Sequence, residues 1–179
     1  TSQGRVISGV KSFYRFLLFT DKIEIDPTLM LETPKAARKL PEVLTLDEIE
    51  RIEDVIDLSK DEGQRNLAII EVLYGSGLRV SELINLKLSN VHVDEKYMLV
   101  EGKGSKQRLV PLSDEAIKQI SFWMQDRCHL AIKPGNEDYL FLNRRGAKLT
   151  RVMILIIVKE LAMRAGIKKN ISPHTFRHS

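Results

Sequence analysis

One cysteine, Cys128, stands in 179 residues, so an internal disulfide and any metal site built on several thiolates are excluded. A lone thiol fits a reducing compartment, and nothing beside Cys128 signals an activated nucleophile; it reads as a core or helix-surface thiol. Long apolar runs are also missing. The longest, Val152 to Val158, is seven residues bounded by Arg151 and Lys159, too short to cross a bilayer. There is no internal repeat, no low-complexity stretch and no signal-peptide pattern after Thr1, and the expectation is a start cut from something longer. Aromatics are sparse at 6%, with a single Trp123 that reads as core, as do Met153 and Met163. An apolar fraction of 43% suffices for a true core. The formal net charge of +4 permits a polyanionic partner without requiring one.

Apolar residues at Val6, Ile7, Val10, Phe13, Tyr14 and Leu17 carry helical spacing over residues 5–20. Asp26-Pro27 and Thr33-Pro34 then break the chain, because a residue before proline is pushed out of the helical region. The basic, proline-bracketed stretch 34–41 reads as a linker, or as a solvated surface loop. It separates residues 1–33 from a second region, 42–179. There, Thr45 with Glu48 three residues on marks a helix start, and helices are expected to about Asp57, from Gly63 to Tyr74, and from Leu78 to Leu86. Gly75 and Gly77 are expected to end the second of these. Short alternating runs at Val91/Val93, 97–100 and 109–112 predict a small antiparallel sheet with 102–108 as a hairpin tip. Ser113 caps a helix expected to reach Ala131, 139–142 is a short extended segment, Thr150 caps a helix through Met163 that Gly166 terminates, and Ser172-Pro173 opens a final helix. The fold class is mainly α with a small antiparallel sheet.

Several residues suit phosphate chemistry, each with an ordinary alternative. Arg79 follows a Gly-Ser-Gly turn and enters a helix, where unpaired N–H groups and the helix dipole favour anions. It is a phosphate clamp or an ion-pair partner of Glu82, and Glu82 serves both readings if it orients the guanidinium from behind. Lys103, held between Gly102 and Gly104, either reaches into a DNA groove or protonates a departing oxygen, or it is a charged turn residue. Lys106 and Arg108 lie close to it, and Lys148 and Arg151 are further candidates for backbone contacts. His174 and Arg177 share a helical face, with a satisfied core imidazole as the alternative for His174. His174 and His178 are four apart, but no third metal ligand accompanies them.

Taken as an ordered set, the stretches Thr45-Leu46, Tyr74-Gly75-Ser76-Gly77-Leu78-Arg79-Val80-Ser81-Glu82-Leu83, Val100 to Arg108, and Ser172-Pro173-His174-Thr175-Phe176-Arg177-His178 resemble the tyrosine recombinase (phage integrase) family, the Xer type in particular. The resemblance implies that residues 1–33 are the last helix of a helical core-binding domain, 34–41 an interdomain linker, and 42–179 most of a catalytic domain. It implies that Arg79 and Arg177 hold the scissile phosphate, that Lys103 protonates the leaving 5′ oxygen and that His174 assists proton transfer. The implied reaction runs through a 3′-phosphotyrosyl link without metal, ATP or other cofactor. The implied partner is a double-stranded DNA recombination site, engaged by a homo- or hetero-tetramer in the bacterial cytoplasm. The family's nucleophilic tyrosine lies beyond the Arg177 motif, and Tyr14, Tyr74, Tyr97 and Tyr139 all fall in the wrong places for it. The chain alone is therefore expected to be inactive. A non-catalytic DNA-binding or architectural protein on the same scaffold is the alternative, and a metal-dependent nuclease a remoter one.

Overall fold

The computed structural model describes residues 2–32, 43–102, 104, 106–169 and 171–176. The chain divides into two compact units, Thr1–Leu40 and Pro41–Ser179. The expected linker 34–41 falls wholly in the segment 33–42, outside the described residues.

In the first unit, α1 spans Ser2–Phe19. Asp21 closes it in the left-handed region (φ 54), a place more often held by glycine, as the Lys22 N–H reaches back to the Leu17 carbonyl. Of the apolar positions that predict this helix, Ile7, Tyr14 and Leu17 are half-buried while Val6, Val10 and Phe13 are exposed, as are Phe16 and Phe19.

The second unit is built around α3 (Gly63–Ser76), whose residues Ala68 to Leu73 are buried without interruption. A helix buried over six successive residues, and so on every side, lies inside other elements, and α3 is the central one. Its main partner is α5 (Asp114–Arg127), which presents Ala116, Gln119, Ile120, Trp123 and Arg127 as one buried stripe. The Trp123 indole N–H donates to the Leu140 carbonyl at 2.8 Å, satisfying the polar atom that its burial would otherwise strand. Ahead of them, α2 (Leu46–Asp54) buries Ile49 and Ile52. Thr45 caps it: its side chain accepts from the Glu48 N–H, while the Glu48 carboxylate accepts from the Thr45 N–H. Lys169 ties this start to the far end of the chain by donating to Glu48 and to the Val43 carbonyl.

After α3 come the one-turn α4 (Val80–Leu83), a 3₁₀ turn at Leu88–Asn90 and an antiparallel sheet ordered β1 (Val91–His92), β2 (Tyr97–Glu101), β3 (Gln107–Pro111). Met98 pairs with Val110 and Val100 with Arg108, so one face of the sheet turns Met98, Val100 and Val110 to the core. Thr150 caps α6 (Arg151–Arg164), and the short α7 (Pro173–Phe176) packs on α3 and α6.

Four sequence expectations need correction. Met163, read as core, is 72% exposed. The helix expected over 78–86 is a single turn, because the Leu86 carbonyl accepts from the Leu140 N–H and Lys87 bridges Tyr139, pulling the chain into extended structure. Gly75 remains inside α3, and only Gly77 takes the left-handed conformation, at φ 56, that ends it. The helix expected to reach Ala131 stops at Arg127, where the guanidinium turns in to donate to the Glu137 and Tyr139 carbonyls. Beyond it, Lys133 bonds the Gly146 carbonyl instead of continuing the helix.

Gly146 has φ 68, and a Cβ there would lie 2.0 Å from the Ala131 carbonyl oxygen. Both contacts and backbone forbid a side chain. Gly146→Ala is expected to cost about 3 kcal/mol of stability. Urea unfolding checks this: a loss under about 1 kcal/mol would mean that the 131–146 contact yields easily.

Candidate active site

Gly77 turns the chain out of α3, the fully buried Leu78 anchors it, and Arg79 stands next as the extended residue preceding α4 (φ −73, ψ 148). Its side chain is 53% exposed. Glu82, in the first turn of α4, sits behind it with only 3% of its side chain exposed. One carboxylate oxygen, Oε2, accepts from the Arg79 backbone N–H at 2.8 Å; the other, Oε1, accepts from Arg79 Nη1 at 2.9 Å. The helix start thus uses Glu82 as a cap and the arginine side chain as its counter-ion. Both sequence readings of Arg79 meet here: it is ion-paired to Glu82, yet half of it faces solvent.

The same carboxylate receives Arg108 from β3 in a two-pronged pair, Nη1 to Oε1 at 2.8 Å and Nη2 to Oε2 at 3.0 Å. Burial on its own would raise the Glu82 carboxyl. The Arg108 fork, the Arg79 N–H and the Arg79 side chain override it and hold the group at about 2. Hydrogen bonds to Glu82 in turn raise Arg108 above the ordinary guanidinium value.

Arg79 lines a groove of about 880 Å³ together with Ser81, Asn85, Lys87, Gln107 and Tyr139, and Gly102 forms part of its wall. Gly102 donates to the Lys106 carbonyl at 2.8 Å, closing the mouth of the β2–β3 hairpin. Lys103 itself lies outside the described residues, as do Arg177 and His178. Lys106 is exposed. His174 is an exposed residue of α7 between the buried Pro173 and Thr175, so it is not a core imidazole. Lys148 donates to Asn85 Oδ1 at 2.5 Å and sits 4.7 Å over the Tyr139 ring, placing its charge beside the groove. Arg151 is exposed at the first turn of α6 and is not among the groove residues. Among the described residues no group of three or more His, Cys, Asp or Glu side chains is arranged to hold a metal ion.

The structure therefore joins Arg79, Glu82 and Arg108 directly and brings Lys148 near them through Asn85. Arg108, a candidate DNA contact by its sequence reading, turns two guanidinium donors onto Glu82, with 40% of its side chain still exposed. Strand alternation carries that signal, since Arg108 and Val110 share the core-facing side of β3. Gln107 of the Val100–Arg108 stretch also lines the groove, and Asn85, Lys87 and Tyr139 are groove residues that sequence reasoning missed. No motif marks them, because only the return of 139–142 against Leu86 and Lys87 assembles that wall.

A tyrosine recombinase XerD of Oceanobacillus iheyensis is 44% identical over 176 residues, covering 98% of this chain and 59% of that protein. XerD of Staphylococcus haemolyticus is 38% identical over 178 residues, covering 99% of this chain and 60% of the relative. The chain thus spans about three fifths of the length of these curated relatives. Among solved structures, the crystal structure of XerA recombinase superposes with a TM-score of 0.67 at 30% identity, over 99% of this chain and 59% of that one. XerH bound to a palindromic difH substrate, in a post-cleavage complex, gives a TM-score of 0.70 at 28% identity over 82% of this chain and 43% of that one. The mainly helical unit with its small three-stranded sheet is the fold of these recombinases. The phage integrase family model aligns with residues 42–179, the whole span that carries Arg79, Glu82 and the hairpin, and the chain belongs to the phage integrase family.

Proposed function

We propose that this chain supplies the phosphate-gripping part of a site-specific DNA recombinase that breaks and rejoins strands through a 3′-phosphotyrosyl intermediate, without metal or ATP. One observation carries the reading: a half-exposed arginine at a helix start, braced from behind by a buried carboxylate and opening onto a groove. An arginine so placed offers its outer N–H groups to the non-bridging oxygens of a phosphodiester, where charge builds as the phosphorus becomes pentavalent. Arg177 is proposed as the second such ligand, Lys103 as the donor that protonates the leaving 5′ oxygen, and His174 as the residue assisting proton transfer at the attacking tyrosine. The DNA-bound XerH relative supports a duplex partner. Lys106, Lys148 and Arg151 are proposed backbone contacts, and a tetramer on a recombination site in the cytoplasm is the proposed working assembly. Residues 1–33 are assigned to a core-binding domain and 34–41 to the linker.

None of Tyr14, Tyr74, Tyr97 and Tyr139 is assigned as the nucleophile, so the 179-residue chain should bind duplex DNA without cutting it. Binding rests on a few phosphate contacts, and affinity for a mixed-sequence duplex should fall roughly 30- to 100-fold between about 50 and 200 mM salt. Fluorescence anisotropy reads this directly, and a salt-insensitive constant contradicts it. A form extended to the length of the curated relatives should trap a covalent protein–DNA band on a suicide duplex, unaffected by EDTA. Tight binding with no such band would favour an architectural role instead, and inhibition by EDTA would favour a metal-dependent nuclease.

A further inference from the structure

A carboxylate has about four lone-pair positions, and all four on Glu82 are taken: two by Arg79, through its backbone N–H and Nη1, and two by the Arg108 fork. Arg79 consequently spends one side-chain donor on Glu82 and keeps the rest of its guanidinium for the groove. The Arg108 position is fixed independently of Arg79. Its backbone is paired with Val100, its side chain emerges on the core face beside Val110, and a Cβ at Gly102 would lie 4.0 Å from both Arg108 Nη1 and Glu82 Oε1. The β2–β3 hairpin thus closes against the carboxylate that orients Arg79.

We propose that Arg108 is a positioning residue for Arg79, not a DNA contact: by filling the outer acceptor positions of Glu82 it prevents Arg79 from folding back onto that carboxylate. The proposal rests on the reading of Arg79 as a phosphate ligand. Remove the Arg108 fork, and two acceptor positions open on a buried carboxylate whose other ion-pair partner among the described residues is Arg79. A two-pronged Arg79–Glu82 pair is then the favoured closure, and the edge that should meet phosphate is withdrawn. A lysine at 108 keeps the charge but supplies a point donor in place of a planar fork, and should not restore the arrangement.

Two measurements on the full 179-residue chain test this. Without DNA, nitrogen NMR of the arginine side chains should show hydrogen exchange at the Arg79 guanidinium slowing several-fold in Arg108→Lys and in Arg108→Gln; unchanged exchange in both variants overturns the proposal. With a fluorescein-labelled duplex of mixed sequence, Arg79→Ala should weaken binding about tenfold in the unaltered chain and less than about twofold in the Arg108→Lys background, as coupled sites do. Equal losses in the two backgrounds, or full rescue by lysine, would identify Arg108 as an independent cationic contact. If Arg79→Ala is silent even in the unaltered chain, the phosphate-ligand reading is what fails, and the exchange measurement still decides whether Arg108 positions Arg79. Thermal unfolding of each variant confirms that the comparisons are made on folded protein.

Discussion

Alanine at Arg79 should lower strand cleavage at least ~10²-fold in a form extended to the length of the curated relatives, while leaving folding stability within about 1 kcal/mol. The two halves of this expectation have different causes. Catalytic loss follows from removing a preorganised donor aimed at developing negative charge, in a groove walled by protein. Stability is spared because the Arg79 side chain is 53% exposed and its single bond to Glu82 is made at the surface end of that pair. Arg108 remains to neutralise Glu82, so no buried charge is orphaned. Lysine at the same position should recover little, since a point charge cannot present two parallel donors to phosphate oxygens. The yield of covalent protein–DNA complex and the thermal midpoint, measured on the same preparations, separate the two effects. Unchanged cleavage would remove Arg79 from the reaction.

Glu82→Gln should do the reverse, acting first on stability and showing it through pH. The carboxyl is held at about 2, below its ordinary value of 4.5, so the folded form binds protons less readily than the unfolded chain. A depressed acid stabilises the fold above its unfolded pKa, and that contribution drains away as pH falls from about 4.5 through about 2. The shift corresponds to about 2–3 kcal/mol once the partial exposure of both arginines is allowed for. Denaturant unfolding of the two proteins should therefore differ by about that amount at neutral pH and converge near pH 2. A gap that persists undiminished at low pH would assign the loss to packing and not to ionisation. The glutamine variant should also cleave DNA less well, because its neutral amide no longer orients either guanidinium.

Much of this protein can be read locally. Thr45, Ser113 and Thr150 announce their helices because a hydroxyl at the cap and the N–H it satisfies lie three residues apart. The β2–β3 hairpin is legible from alternation, and Gly77 from the need for a positive φ after α3. Errors occur where distant chain segments compete for backbone groups: Leu86 leaves its helix to meet Leu140, and Lys133 leaves its own to meet Gly146. Neither partner is visible in a local window. The buried Glu71 and the half-buried Glu53 escaped sequence reasoning in the same way; burial first, and then the Glu71 charge, push Glu53 up to about 8, and burial raises Glu71 as well.

The amino-acid order alone brings forward the residues proposed for phosphate chemistry, since the arginine after Gly-Ser-Gly, the glycine-flanked lysine and the His-x-x-Arg stretch are properties of neighbouring positions. It also settles the helical class, because periodicity and caps act within a few residues. Three-dimensional packing alone decides how Arg108 is used. A buried carboxylate such as Glu82 needs a cation to offset its lost hydration, and the half-buried Arg108 guanidinium reaches it only after α4 and the hairpin have come together.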